Sequence, residues 1–332
     1  MTESDEKGIV GLQNMGNTCY ANATLQILRA VPEWSVFCMT SDFEKECSGA
    51  SANPTTKKYV DIILAYQDIL KSLWSAARPA YVRPLGFLHI IQTVVKGTVY
   101  SSFGRPEPND SHEYLIYLLD NFHEALKKEE KEKGQNGWLT WKAKNSSPVV
   151  ELFFGMTRKT IQCQGCSNKS YTWEPFNVFK IPCSGTTFEE WIASELVQSE
   201  IEDYDCIKCR PTRQKATIRS QLWRLPHALF IALRRFQFDG RKDMRPCPYN
   251  GEKLSLSKFF AEDSTDPSED NVYEIRGVVD HHGNHMGGHY TAQFCHPQNR
   301  KFWWIDDERS QHMSNGPLFG QSTYLLLFRK VD

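Results

Sequence analysis

Gly11-Leu12-Gln13-Asn14-Met15-Gly16-Asn17-Thr18-Cys19-Tyr20-Ala21-Asn22 runs a Gly/Asn-rich turn into a helical pattern, with a cysteine at the junction. From Thr18 onward Ala21, Leu25 and Leu28 recur at helical spacing, and Pro32 ends the run. Cys19 therefore falls in the first turn of a helix. Unpaired backbone N–H groups and the positive end of the helix dipole there favour thiolate over thiol. A free thiol titrates near a pH of about 8.5, and this setting is expected to lower that value. A buried, inert cysteine closing a helix start is the plainer reading of the stretch alone, and what argues against it lies at the other end of the chain.

That far end is Gly283-Asn284-His285-Met286-Gly287-Gly288-His289-Tyr290-Thr291-Ala292, a glycine-rich loop leading into a strand. The chain returns as Phe302-Trp303-Trp304-Ile305-Asp306-Asp307, which brings Asp306 or Asp307 within reach of His289. A carboxylate on Nδ1 would fix the imidazole tautomer and leave Nε2 to take a proton from a thiol. Cysteine, histidine and carboxylate together make a nucleophilic site. The competing use of His281, His282, His285 and His289 as metal ligands is disfavoured, because the glycines between them give no rigid ligand-presenting helix.

Between these ends the chain changes character. The first part is helical: the stripe Ile62, Ile63, Tyr66, Ile69, Leu70, Leu73 marks one helix, Leu85 to Val95 a second, and Leu115, Leu118, Leu119, Phe122, Leu126 a third. Asp110 with Glu113 resembles a capping box opening that third helix. Ser41 to Thr56 and Gly134 to Pro148 read as loops, and Lys127 to Lys133 as a solvated helix end. From Val149 onward strands dominate: 149–154, 170–181, 215–225, 229–238, 273–279, 290–295, 302–305 and 324–328, with one helix expected over Thr187 to Val197. Glu262 to Asp270, containing Pro267, reads as an acidic surface loop. A helical part followed by a β-rich part predicts an α+β enzyme with a cleft between them.

Cys163-Gln164-Gly165-Cys166 and Cys206-Ile207-Lys208-Cys209 are two CxxC knuckles. Four thiolates complete a tetrahedral structural zinc site with no open position. Their separation demands a β-hairpin or more between the pairs, and the strand pattern supplies it. A redox dithiol is the alternative. A zinc-ribbon nucleic-acid module is a further one, but no basic cluster with interleaved aromatics flanks either knuckle.

The composition is consistent with this. The 332 residues are 40% hydrophobic and 24% charged, with formal net charge −1, so no global field points to nucleic acid or a membrane surface. Apolar runs are only strand-length, and the polar Met1 to Lys7 lacks a signal-peptide core. Ten cysteines, four of them in CxxC pairs, fit a reducing compartment better than a disulfide framework.

These motifs resemble the ubiquitin-specific protease family of papain-like cysteine deubiquitinases. Gly11 to Gln26 is similar to that family's cysteine box, and Tyr273 to Phe294 with Trp304 to Asp307 and Tyr324 to Arg329 to its histidine box. Asp110-Ser111-His112-Glu113-Tyr114-Leu115 and Leu225 to Asp239 also match, and the knuckles fall where the family has its fingers. The resemblance implies one catalytic domain over 8–332, with thumb about 8–148, fingers about 149–225 and palm about 226–332, after a disordered 1–7. It implies Cys19 as nucleophile, His289 as general base and Asp306 as its orienter. Asn14 would form the oxyanion hole with the Cys19 N–H, and Asp307 would be a secondary orienter or a polar group near the oxyanion.

By the same resemblance Asp110 would bind the ubiquitin tail, and Tyr20, Gly288 and Tyr290 would line a channel passing only Gly-Gly. Loops about 239–252 and 280–288 would cover it. Two departures stand out: Pro108-Asn109 where the family has Gln-Gln, and Ala23-Thr24 after Asn22. The implied activity is thiol-dependent isopeptide hydrolysis after the C-terminal glycine of ubiquitin, through an acyl-enzyme thioester. The alternatives are action on another Gly-Gly modifier, or a catalytically weak ubiquitin-binding scaffold. One structural zinc on Cys163, Cys166, Cys206 and Cys209 is expected, with ubiquitin and ubiquitinated proteins as partners, no nucleic acid or membrane, a monomer, and a cytoplasmic or nuclear address.

Overall fold

A computed structural model describes residues 7–51, 53–77, 79–128, 137–237, 239–264, 271–284 and 286–331. The expected disordered start, the charged run beyond residue 128, His285 and the acidic loop from residue 265 lie wholly or partly outside the described residues.

The first half is helical. It comprises α1 (Cys19–Leu28), α2 (Pro32–Phe37), α3 (Ser41–Ser51), α4 (Pro54–Leu73), α5 (Leu85–Val95), α6 (Ser111–Leu126), α7 (Gly137–Lys142) and α8 (Pro148–Phe153). Proline opens α2, α4 and α8, where its missing N–H costs nothing. The predicted stripes of α4 and α6 are buried as expected. They meet around Trp34, whose ring stacks 5.6 Å from Phe122 and meets Phe153 edge-on at 5.7 Å.

Three local expectations are corrected. Ser41 to Thr56 is not loop but α3 and the start of α4: Phe43 and Cys47, one turn apart, supply a narrow buried stripe that polar neighbours mask. The segment at 149–154 is helix α8, not strand, because Ser147 accepts from the Val150 N–H and caps it. Within 134–148 a short helix, α7, seats Trp138.

The second half builds two sheets. β3 (Gly155–Cys163), β4 (Lys169–Phe176), β6 (Gln198–Tyr204) and β7 (Gln214–Arg224) form one, in the order β4-β3-β7-β6. The larger, eight-stranded sheet uses β5 (Val178–Pro182), β8 (Ala228–Arg234), β9 (Leu254–Ser255), β10 (Val272–Asn284), β11 (Gly287–Cys295), β12 (Phe302–Asp306), β13 (Arg309–Met313) and β14 (Thr323–Lys330). Its order is β13-β12-β11-β10-β14-β8-β5, with β9 beside β10. Every predicted strand after 154 has a counterpart, though 170–181 is divided into β4 and β5 at Asn177. Sequence patterning does not mark β3, β6, β9 or β13 in these sheets, and of them β6 and β13 are polar edge strands without an apolar face.

One face of the large sheet packs on the helices. The other carries a second core with α9 (Phe188–Glu195), which holds Trp191 and Ile192. A parallel pair, β1 (Gly11–Leu12) with β2 (Tyr81–Val82), leads the chain into α1, which lies against β11. The two ends of the sequence are thereby brought side by side.

Candidate active site

Gly16 (φ +100°) and Asn17 (φ +55°) turn the chain in the left-handed region just before α1. The turn is tied by Asn14, whose Oδ1 accepts from the N–H of Gly16 at 2.9 Å and of Thr18 at 3.3 Å. Cys19 is consequently the first residue of α1, and it is 7% exposed. Burial pushes its thiol up, and the Asp307 charge adds to this. Backbone N–H groups of Tyr290, Tyr20 and Cys19 oppose the shift without overcoming it. The expectation of a lowered thiol pKa is therefore corrected: desolvation outweighs the helix start.

His289 lies on β11 and Asp306 ends β12. The register Ala292↔Ile305 places the two on one face of the ladder as diagonal neighbours. His289 Nε2 is 2.5 Å from Asp306 Oδ1 and 4.0 Å from Asp307 Oδ2. The carboxylate thus meets Nε2, not Nδ1 as the sequence reading had it, and Nδ1 is the nitrogen left for a thiol. Among the described residues no hydrogen bond joins Cys19 Sγ to His289.

Asp307 follows at φ +48° and turns away from the histidine. Its Oδ2 accepts from Asn14 Nδ2 at 2.8 Å and its Oδ1 from Asn22 Nδ2 at 2.7 Å. Its carbonyl accepts from Leu12 N–H at 2.8 Å. Gly11 has to be glycine for this approach, since a Cβ there would sit 2.3 Å from that carbonyl oxygen. Burial raises the Asp307 carboxyl, and the two asparagine amides pull it back. Asn22 and Glu308, which accepts from the Asn14 N–H at 3.1 Å, were not singled out from sequence. Asn22 lay inside the quoted stretch, but only its partner's position, 285 residues away, gives it a role to play.

A cleft of about 300 Å³ opens beside the cysteine, walled among others by Cys19, Tyr20, Asp110, His281, Gly288 and Tyr290. The four residues expected along a tail channel therefore do meet there. Tyr20 packs edge-on to Tyr114 at 5.1 Å, and Tyr290 lies 4.6 Å from the His281 ring. Gly288 passes so close to His281 that an added Cβ would lie 2.4 Å from its Nε2. Asp110 has both oxygens engaged: Oδ1 accepts from the N–H groups of His112 (2.7 Å) and Glu113 (3.0 Å), and Oδ2 from the Tyr324 hydroxyl. Asn109, at the departure from Gln-Gln, donates back to the carbonyls of Ser102 and Glu107.

One buried cation ties the segment after β8 to the start of β14. The Arg235 guanidinium, 0% exposed, donates to the carbonyls of Thr323, Asp243, Arg245 and Gly320. Lys242, on the same loop, reaches His281 Nδ1 at 3.1 Å. Burial first, then the Lys242 charge, lower the His281 pKa to about 4. With Nδ1 so engaged, His281 is unsuited to bind a metal, and His281, His282 and His289 do not converge as a ligand group among the described residues.

The four knuckle cysteines stand at the turns of the smaller sheet, after β3 and after β6. Their sulfurs all lie within 4.8 Å of one another, with Cys163–Cys209 at 3.8 Å and Cys166–Cys206 at 3.6 Å. Zinc–sulfur bonds of about 2.3 Å in a tetrahedron require sulfur separations near 3.8 Å. The donor set and its spacing fit a zinc ion, which would cross-link the two turns.

A family model described as "ubiquitin carboxyl-terminal hydrolase" matches residues 10–328. The chain belongs to the ubiquitin carboxyl-terminal hydrolase family. Among curated members of this family, Drosophila melanogaster Usp2 is 27% identical over 98% of this chain and 36% of its own length. Human ubiquitin carboxyl-terminal hydrolase 21 is 25% identical over 98% of this chain and 62% of its own length. The chain thus spans between about a third and three-fifths of such relatives. In fold it is similar to the SAGA DUB module Ubp8 structure bound to monoubiquitin, with a TM-score of 0.78 at 20% identity, covering 100% of this chain and 71% of that one. The α+β architecture and the cysteine-bearing finger sheet are those of this hydrolase family.

Proposed function

We propose that this protein is a thiol-dependent deubiquitinase that cleaves the isopeptide or peptide bond after the C-terminal glycine of ubiquitin. The observation that carries the reading is the His289–Asp306 pair, with His289 on the strand packed against α1, whose first residue is Cys19. The cleft beside Cys19, narrowed where Gly288 passes His281, suits a tail without side chains. Family membership and a monoubiquitin-bound structural neighbour support ubiquitin as the modifier.

In this mechanism Asp306 holds His289 through Nε2, and Nδ1 accepts the thiol proton as substrate closes the gap to Cys19. The sulfur attacks the glycine carbonyl. Asn14 Nδ2 and the Cys19 N–H receive the oxyanion, a donor of this kind being worth about 10²–10³ in rate. Imidazolium protonates the departing amine, and water activated by the same imidazole hydrolyses the thioester. Asp307 stays with the asparagines as the polar group near the oxyanion. Asp110, Tyr20, Gly288 and Tyr290 line the tail path. A zinc ion on Cys163, Cys166, Cys206 and Cys209 would supply rigidity to the finger sheet and no chemistry.

The test is reaction with a ubiquitin probe carrying a C-terminal electrophile, read by intact mass. One adduct is expected, lost in Cys19→Ala. An adduct only with a different Gly-Gly modifier would reassign the substrate, and an adduct retained in Cys19→Ala would reassign the nucleophile.

A further inference from the structure

We infer that Asn22 is a positioning residue for the oxyanion amide: it acts through the Asp307 carboxylate to aim the side chain of Asn14. The inference rests on the proposed hydrolase reading and adds a residue to it.

The geometry is a relay of three side chains. Asn22 sits one helical turn after Cys19, on the same buried helix, so nucleophile and relay move as one body. Its Nδ2 donates to Leu12 O at 3.1 Å and to Asp307 Oδ1 at 2.7 Å. The other oxygen of that carboxylate takes Asn14 Nδ2 at 2.8 Å. The two amides therefore grip opposite oxygens of one carboxylate and fix its plane. Asn14 is held at its other atom as well, since Oδ1 is committed to the Gly16 and Thr18 N–H groups.

An amide nitrogen carries two hydrogens. With one bound to Asp307, the second hydrogen of Asn14 has a direction set by the carboxylate plane. That second hydrogen is the one a developing oxyanion would meet.

Asp307 also has an alternative. Its Oδ2 lies 4.0 Å from His289 Nε2, the nitrogen Asp306 already occupies. Without the Asn22 donor the carboxylate can swing to the imidazole, release Asn14 and compete with Asp306. A single asparagine on the nucleophile's own helix thus keeps two adjacent carboxylates in separate roles, one for the histidine and one for the oxyanion amide.

The experiment is a double-mutant cycle on hydrolysis of a fluorogenic C-terminal amide of ubiquitin by the full chain. Absence of turnover by the unsubstituted enzyme would defeat the hydrolase reading itself and is seen before any variant is made. With turnover present, Asn22→Ala should lower kcat by about 10- to 100-fold, with KM within about threefold, because a misdirected group costs rate rather than binding. Asn14→Ala/Asn22→Ala should be no slower than Asn14→Ala alone, since a residue acting only through another adds nothing once that other is gone. Asn22→Ala on an Asp307→Ala background should likewise be silent. If Asn22→Ala does not fold, Asn22→Leu, which keeps the approximate shape and loses the donor without adding a charge, takes its place in both cycles. Multiplicative losses in both cycles, or a loss confined to KM, would overturn the inference.

Discussion

Asp307 Oδ2 is bonded to Asn14 Nδ2 at 2.8 Å and stands 4.0 Å from His289 Nε2, while the neighbouring Asp306 holds that nitrogen at 2.5 Å. Two consecutive carboxylates therefore serve different partners, and their removal should have different consequences. In Asp306→Ala the imidazole loses its orienting acceptor. General-base catalysis of this kind contributes about 10²–10⁴ in rate, so kcat on a ubiquitin amide should fall by that order while binding of ubiquitin to the variant, followed by calorimetry, stays within a few-fold. An Asp306→Ala enzyme with undiminished kcat would show that Asp306 is not the orienter.

Gly288→Ala tests the narrowness of the cleft. The new Cβ would meet His281 Nε2 and the His282 carbonyl, each at 2.4 Å, and backbone cannot yield as a flexible side chain can. β11 has to shift, and His289 is the next residue along it. A misplacement of about 1 Å can cost 10²-fold. Turnover should drop by at least that, with far-ultraviolet circular dichroism unchanged; normal turnover would mean the strand relaxes freely.

The thiol gives a pH signature. Because burial raises the Cys19 pKa, a protonated thiol is the expected form at neutral pH. Alkylation of Cys19 by iodoacetamide should accelerate continuously from pH 6 to above about 8.5, the range of an ordinary thiol. A rate already level below pH 7 would reveal a preformed thiolate–imidazolium pair instead.

Buried histidines give a second one, in stability. His112 and His281 both have pKa lowered to about 4, with burial the first cause in each. Between pH 6.5 and 4 the unfolded chain takes up protons at these positions and the folded chain does not. Stability is therefore lost as pH falls through that window, by at most about 1.4 kcal/mol per pH unit for each group. Urea midpoints measured from pH 7 to 4.5 should decline, and His112→Gln should flatten the decline. An identical slope in the variant would exclude His112 as a source.

Zinc should be found by elemental analysis at one ion per chain, and Cys206→Ser should lose it together with several degrees of thermal stability. Full metal content without Cys206 would move the ion to other ligands.

Much of this was legible beforehand because the informative residues are local in sequence. The Cys19 turn, the two CxxC knuckles and the glycine run before His289 each declare themselves within a dozen residues, and helical stripes such as Ile62 to Leu73 follow from periodicity. What was missed depends on partners far away or on the absence of a pattern. Helix α3 buries only Phe43 and Cys47, β6 and β13 bury almost nothing, and no periodicity announces them. The ring nitrogen used by Asp306 depends on the β11–β12 register, which sequence spacing left open. The cysteine's raised pKa comes from how deeply the cleft encloses it, a property of the assembled walls.

Asn14 and Asn22 lie near one end of the chain, and their shared carboxylate lies 293 and 285 residues away. A ribosome therefore delivers the sulfur and both asparagines long before the carboxylate the two amides share. Until β11 and β12 have emerged and docked, the nascent polypeptide carries Cys19 and Asn14 without the His289–Asp306 pair or the Asp307 carboxylate beside them. Products terminated before β12 should consequently lack both the carboxylate that fixes Asn14 and the one that holds His289.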